Sequence, residues 1–333
     1  MTEEVLSTSS LPRPGVPGKP EPSALMQGGP AGKAPSNVEA AGTSRRIPEW
    51  IRVRAHESEN YKQLRQLVQE RRLHTVCQEA HCPNIFDCWN RRTATFMILG
   101  DVCTRACRFC AVTSGRPTEL DIGEPLRVAE SVADLGLRHA VITSVDRDDL
   151  RDGGAEIFGR TIRAIRRRSP GTSIEVLTPD FQGHRDAIRT VVEARPDIFN
   201  HNTETVPRLY ARIRPKAVYT NSLGLLAYVK ELAPDMVTKS GVMVGLGETH
   251  DELLDVFRNM RAHRIDVLTV GQYLRPSKKH AEVVRYYPPA EFVELKREAL
   301  AMGFEHVESG PLVRSSYHAD EQIPERYRKA LSA

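Results

Sequence analysis

Outside residues 77–110 the 333-residue chain has no cysteine. All six lie within that stretch, so no thiol is left elsewhere to build a dispersed disulfide framework, and metal binding or catalysis is the expected use. Long apolar runs are missing too. None reaches the ~18–20 residues that a membrane-crossing helix needs, and no membrane association is expected. Nor is there a block of one charge. The net charge of +4 comes from interleaved Lys, Arg, Asp and Glu, and the densest run is Arg166-Arg167-Arg168 before Ser169-Pro170-Gly171. That run suits a helix C-terminus, where cations meet the negative end of the dipole, so nucleic acid is not an expected partner. The opening MTEEVLSTSS has two acids and no apolar stretch, which argues against a secretory leader or a basic transit peptide and makes the cytoplasm the expected compartment. Phosphate motifs fail as well. Gly32-Lys33 has Gln27 in place of the first glycine of a phosphate loop and Ala34 in place of the Ser or Thr, and Gly245-Leu246-Gly247 has His250 where a third glycine belongs.

With 40% hydrophobic and 27% charged residues the composition is that of a globular protein. Residues 1–45 are rich in Pro, Gly, Ala and Ser, unable to bury enough apolar surface to offset their ordering, and read as a disordered tail. From Ile47 the pattern changes. Tyr61–Leu73 carries apolar residues at helical spacing and leads into the cysteines. Apolar stretches expected as strands follow at Thr95–Leu99, His139–Thr143, Ile174–Leu177, Ile198–Asn200, Gly241–Val244 and Val267–Val270. Helical patterns alternate with them at Pro125–Leu135, Glu156–Arg168, Arg185–Ala194, Ser222–Ala233, Asp251–His263 and Pro289–Met302. Six such units in series predict an α/β fold, a partial (β/α)6 TIM-type barrel, with a doubly wound open sheet as the alternative. Either architecture puts the site at the carboxyl ends of the strands.

The cysteines form two triads. Cys77, Cys82 and Cys88 are spaced C-x4-C-x5-C; Cys103, Cys107 and Cys110 are spaced C-x3-C-x2-C, directly after the first strand. Three thiolates can hold three irons of a cubane cluster and leave the fourth open to a small ligand. For the second triad, zinc would want a fourth Cys or His at matching spacing, and none is present. A redox pair at Cys107 and Cys110 is disfavoured by Cys103 four residues earlier. For the first triad, structural zinc or an unliganded thiol set stays open.

The second triad, in a loop after the first strand of a β-α series, resembles the signature of the radical S-adenosylmethionine superfamily. That resemblance implies a [4Fe–4S] cluster on Cys103, Cys107 and Cys110 whose open iron chelates the methionine moiety of S-adenosylmethionine. Reductive cleavage then gives methionine and a 5′-deoxyadenosyl radical, with Phe109 near the adenine. Directly ahead of it, the first triad is similar to the auxiliary-cluster motif of the lipoyl synthases. The same family is matched by Asp146-Arg147-Asp148-Asp149-Leu150 with Asp152-Gly153-Gly154, HNTET at 201–205, GLGET at 245–249, YLRPSKKH at 273–280 and RSSYHA at 314–319. The likeness runs from about residue 47 to the end.

Several expectations follow from the resemblance. Ser316 would be the fourth ligand of a second [4Fe–4S] cluster on Cys77, Cys82 and Cys88, an alkoxide being a hard and unusual iron ligand. The activity would be a sulfurtransferase reaction that places two sulfur atoms, at C6 and C8, on a protein-bound N6-octanoyl-lysine. It would use two S-adenosylmethionine molecules and consume the second cluster as sulfur donor. Implied partners are octanoylated lipoyl-carrier domains (2-oxoacid dehydrogenase E2 subunits and the glycine cleavage H protein), an electron donor such as ferredoxin or flavodoxin, and an iron–sulfur carrier for cluster repair. The domain layout would be 1–45 tail, 46–94 cluster-binding extension, 95–310 barrel and 311–333 closing segment.

Asn202, Glu204 and Arg214 are candidates to orient S-adenosylmethionine, with structural hydrogen bonding the plain alternative. Lys278, Lys279 and Arg314 are candidates to grip a carrier domain, or, for the lysines, ordinary solvated charges. The acids of 146–152 miss the calcium-loop spacing and read as loop anchors and helix-start charges. Gly245-Leu246-Gly247 reads as a strand-end turn beside a small ligand. A radical methylthiotransferase would spread its auxiliary cysteines and append a nucleic-acid domain; a non-catalytic iron–sulfur carrier would want full cysteine ligation and no barrel. Neither pattern is present.

Overall fold

The structure, a computed structural model, describes residues 47–53 and 56–322. The tail expected at 1–45, with its Gly32-Lys33, lies outside the described residues, as does the last part of the closing segment. The elements run α1 (Glu59–Glu70), β1 (His74–Thr75), α2 (Val76–Glu79), α3 (Ile85–Asn90), β2 (Thr93–Ile98), β3 (Val102–Cys103), β4 (Thr113–Ser114), α4 (Glu124–Asp134), β5 (His139–Ser144) and α5 (Ala155–Arg168). They continue with β6 (Ser173–Leu177), α6 (Arg185–Glu193), β7 (Ile198–Asn200), α7 (Tyr210–Ile213), α8 (Tyr219–Leu232), β8 (Val237–Val244), α9 (His250–Ala262), β9 (Val267–Gln272), α10 (Pro289–Ala301) and β10 (His306–Gly310).

Local chemistry explains the boundaries. Ser58 starts α1 by accepting the Tyr61 N–H, and Thr249 with Glu252 makes a capping box at α9. Pro125 sits in the first turn of α4, where its missing N–H costs nothing. Arg166, Arg167 and Arg168 do close α5.

The main sheet has the order β1-β2-β5-β6-β7-β8-β9-β10. Every adjacent pair is parallel except β1, which runs antiparallel to β2. Order in space therefore follows order in the chain, with no reversal point. That is the winding of a barrel wall, and it disposes of the doubly wound alternative. β1 and β10 end the sheet without pairing to each other, so the barrel is partial. The six expected strands are all present. Two departures matter. β8 starts four residues before the expected Gly241, and β10 adds a seventh parallel strand beyond the six expected. Ahead of the barrel, Tyr61 on α1 packs on Phe86 and Trp89 of α3, with ring centroids 4.9 and 5.2 Å apart. Cys77 and Cys88 thus sit on short helices.

Inward-facing residues alternate along each strand. Thr143, Leu177 and Gly241 line the cavity at the carboxyl end, so His139, Glu175 and Lys239, at even spacing from them, face the same way deeper in. There Lys239 Nζ donates to both Glu175 oxygens at 2.9 and 3.0 Å, and Asn200 Nδ2 adds a bond of 2.8 Å. Burial alone would raise the Glu175 pKa, yet the Lys239 charge and the bonds from its neighbours bring it below the ordinary carboxylate value. Removing one partner strands a buried charge. Lys239→Ala is expected to cost about 3–5 kcal/mol in urea unfolding, whereas the double change Lys239→Met with Glu175→Leu should recover most of it.

Candidate functional site

A cavity of about 530 Å³ opens at the carboxyl ends of the strands. Cys103, Cys107, Cys110, Cys77 and Cys82 line it, together with Ser316; Cys88 stands behind, close enough for the charges of Cys77 and Cys82 to act on it. The structure thus brings both triads and the far-off serine to one place.

The loop of the second triad begins where β2 stops. Leu99 and Gly100 turn the chain at φ +71° and +88°. β3 then pairs with β4, with register Cys103 to Ser114, pinching the loop so that Cys107 and Cys110 lie between. Cys103 Sγ faces the backbone N–H groups of Arg105 and Asp146 at 3.5 and 3.3 Å. Arg105 is what fixes this loop. Its guanidinium is 5% exposed and donates to Asp148 from Nε and Nη2 at 2.9 and 2.8 Å, and to Asp180 from Nη1 and Nη2 at 3.0 and 2.6 Å. Thr104 adds a relay: its Oγ1 donates to the Asp146 carbonyl at 2.9 Å and accepts the Asp148 N–H at 3.0 Å. Asp146 and Asp148 are therefore anchors of the cysteine loop, and Asp152 caps the start of α5 by accepting the N–H groups of Gly154 and Glu156. Burial alone would raise the Asp180 pKa, but the Arg105 bonds and charge hold it at about 2.

Asn202, Glu204 and Arg214 line the same cavity, and the charges of Arg214 and Glu204 reach Cys107. Arg214 Nη1 donates to the Asn202 carbonyl at 3.0 Å and to the Tyr210 hydroxyl at 3.3 Å. Burial raises the Glu204 pKa against the pull of the Arg214 charge and a bond from Asn202. Gly241 makes room for Asn202, since a Cβ there would stand 3.0 Å from Asn202 Oδ1 and 2.4 Å from Thr269 Oγ1. Sequence reasoning passed over His201 inside the same HNTET run. Its ring is fully packed between the Thr178 carbonyl (2.8 Å) and the Ser222 hydroxyl (3.1 Å), and burial with the Arg214 charge lowers it to about 4, so it is a neutral spacer.

Five cavity-lining groups are buried without a hydrogen-bond partner: Asp146 Oδ1, which still faces Arg105 Nε as an ion pair at 3.3 Å, and Ser144 Oγ, Thr178 Oγ1, Asn202 Oδ1 and Arg214 Nε. Such orphans normally find a partner, and a ligand carrying both amino and carboxylate groups would supply acceptors and donors alike. Next to them the thiols are desolvated. Burial pushes Cys107 up to about 12 and Cys110 to about 11, and raises Cys103. Thiolates there need a strong positive partner, which iron provides. Among the described residues no three His, Cys, Asp or Glu side chains converge as for one metal ion; a cubane instead takes each thiolate on a different iron. The donor set fits the clusters.

The first triad is closed by the C-terminal segment. Asn84 Nδ2 donates to the Leu312 carbonyl at 2.6 Å, His318 Nε2 lies 3.0 Å from Asp87 Oδ2, and Arg91 pairs with Glu321 and Asp320. Gly271 on β9 permits this approach, because a Cβ would stand 2.1 Å from the Val313 carbonyl oxygen. Burial pushes Cys77 up to about 12 and raises Cys82 and Cys88. Two expectations need correction. Arg314 lines the cavity with a pKa lowered by burial, opposed by the Cys82 charge, and so does not reach out toward a carrier. The Gly245-Leu246-Gly247 turn wraps around the Glu248 carboxylate, which accepts the N–H groups of Gly245 and Leu246 at 2.6 and 2.9 Å; none of those three residues lines the cavity. Among the described residues no helix is long and apolar enough to cross a membrane.

Comparison with known proteins agrees with this geometry. Residues 97–260 match the family model of the radical SAM superfamily. The chain is 60% identical over 286 residues to the lipoyl synthase of Rubrobacter xylanophilus, covering 86% of this chain and 89% of that one. It is 57% identical over 290 residues to the lipoyl synthase of Bacillus cereus strain G9842, covering 87% and 97%. Among solved structures, Streptococcus suis SuiB bound to its precursor peptide SuiA is similar in fold, with a TM-score of 0.50 at 10% identity over 76% of this chain and 53% of that one.

The Arg105 clamp has a pH signature. A carboxylate held at about 2 contributes stability that is present above its unfolded value near 3.8 and lost as pH falls toward 2. Arg105→Ala is expected to be about 2 kcal/mol less stable than the parent near pH 7. That gap should narrow as the pH drops from 4 to 2, followed by urea unfolding across the range. A gap independent of pH would show that Arg105 works through packing alone.

Proposed function

Because the chain belongs to the lipoyl synthases of the radical SAM superfamily, we propose that it inserts two sulfur atoms, at C6 and C8, into a protein-bound N6-octanoyl-lysine. Two S-adenosylmethionine molecules are used, one for each unactivated C–H bond broken. The observation that carries this reading is the meeting of five of the six cysteines with Ser316 around one cavity.

In this reading Cys103, Cys107 and Cys110 hold the cluster that works with S-adenosylmethionine, and Cys77, Cys82, Cys88 and Ser316 hold a second cluster, itself a substrate that gives up the inserted sulfur. When bound, the first cluster and S-adenosylmethionine supply a 5′-deoxyadenosyl radical able to take hydrogen atoms from an alkyl chain. The chain's own residues do the rest. Arg105 and its aspartates keep the second triad in register. Arg214 and Glu204 offer opposite charges to the carboxylate and amine of S-adenosylmethionine, Asn202 Oδ1 offers an acceptor, and Phe109 gives the adenine an apolar face. Met97, Val112, Leu177, Met243 and Val313 are among the apolar residues of the lining, which suits an octyl chain and keeps water from a radical. In the same proposal, residues 56–94 and 311–322 would enclose the second cluster and 95–310 would make the barrel. A cytoplasmic setting, a ferredoxin- or flavodoxin-type reductant and an iron–sulfur carrier for repair complete the proposal.

Reconstituted protein given reductant, S-adenosylmethionine and an octanoylated carrier domain is expected to release 5′-deoxyadenosine and add two sulfur atoms to the carrier, read by mass. The triple variant Cys77→Ala, Cys82→Ala, Cys88→Ala should lose about half its iron, keep 5′-deoxyadenosine formation and insert no sulfur. Full iron retention would remove the second cluster from the scheme. Absence of 5′-deoxyadenosine from the parent would end the radical reading.

A further inference from the structure

Two stretches meet on the outside of the cavity, residues 104–110 and 273–281, and neither contains an Asp or Glu. They are stitched together. The Ala281 N–H donates to the Arg108 carbonyl at 2.8 Å, and His280 Nε2 lies 2.9 Å from the Cys110 carbonyl, with Ser277 Oγ 2.9 Å from His280 Nδ1. Tyr273 closes the loop by donating its hydroxyl to the Ala281 carbonyl at 2.8 Å. Lys216 joins from the barrel side, with Nζ 2.9 Å from the Thr104 carbonyl.

This rigid rim carries five cations: Arg108, Lys216, Arg275, Lys278 and Lys279. Arg275 has one carboxylate nearby, Glu282 at 3.6 Å, whose side chain is 83% exposed. Among the described residues no ion pair includes Arg108, Lys216, Lys278 or Lys279, whereas exposed Arg160, Arg258 and Arg297 on α5, α9 and α10 each pair with an acid on their own helix. The rim borders the site itself: Arg108 stands between cavity-lining Cys107 and Phe109, and Arg275 with Pro276 lines the cavity.

We propose that this rim is the docking surface for the folded, acidic domain that carries the acyl-lysine. The proposal rests on the reading of the substrate as a protein-bound acyl chain. A cavity of about 530 Å³ admits an acylated side chain but not the domain behind it, so that domain must sit at the mouth, where these charges are. A protein reductant is not bound by that requirement. Arg275 is tied into the loop through the His280 and Lys278 carbonyls; the other four cations, on a preorganised loop and without an acid partner among the described residues, favour encounter with an anionic partner at little ordering cost.

The test compares the parent with Lys278→Glu/Lys279→Glu and with a control, Arg258→Glu/Arg297→Glu. Calorimetry would measure binding of an octanoylated lipoyl-carrier domain of net negative charge at low and moderate salt. The rim variant should bind about tenfold more weakly and lose its salt dependence, with the control unchanged. Turnover of a short uncharged octanoyl-lysine peptide should be the same in all three. Equal domain binding by parent and rim variant would overturn the proposal. So would an equal loss with the peptide, which would place the lysines in the fold or site, or a loss seen only with a protein reductant and not with dithionite, which would assign the rim to the reductant. If the parent converts neither substrate, the functional reading fails, while the binding comparison still judges the docking surface.

Discussion

The site depends on a buried guanidinium. Arg105 lies between two of the cysteines it serves and reaches out of their loop to Asp148, beyond β5, and to Asp180, beyond β6. A loop of this length with Cys-rich, apolar contents has little reason to hold one shape; burying an arginine inside it supplies one. The desolvation cost is high, and it is offset because the donors on three nitrogens meet two carboxylates in bidentate geometry. The aspartates come from the loops after β5 and β6, the next two strands of the sheet beyond β2, so the barrel's winding and the cysteine spacing are joined through one side chain.

The same logic explains what could and could not be read from the chain. Strands buried on both faces announce themselves as apolar runs, and six of them were legible. β8 was cut short because Val237-Thr238-Lys239-Ser240 looks polar, although all four are buried. Lys239 is tolerated there only because Glu175 lies across the barrel, a partner 64 residues away that no local pattern reveals. β10 was missed for the opposite reason. His306–Gly310 is a half-exposed edge with a charged centre and carries no apolar signal.

At the site, spacing revealed the triads, and the family likeness pointed to Ser316 among many serines. The role of Arg105 was hidden, because spacing says nothing of what a side chain between two cysteines reaches. His201 was hidden inside a motif whose polar neighbours looked more chemical. A buried histidine lowered to about 4 and held between a carbonyl and a hydroxyl is packing, not acid–base chemistry.

The two triads are held by different kinds of force, and this bears on their proposed fates. Around Cys103, Cys107 and Cys110 the anchors are buried ion pairs and strand-end backbone, which open only with the barrel. Around Cys77, Cys82 and Cys88 the closure comes from the C-terminal segment. Its ties are Asn84 to Leu312, His318 to Asp87 and Arg91 to Glu321, and the Asp87 and Glu321 side chains are 47% and 55% exposed. Exposed pairs of this kind contribute about 0–1 kcal/mol each, far less than the barrel core. Local opening free energies follow such differences. The polar ties around the first triad are therefore the weaker set, although the same segment also buries Val313, Ala319 and Gln322. In the proposed scheme the cluster that gives up its sulfur is the one whose enclosure has the weaker polar ties.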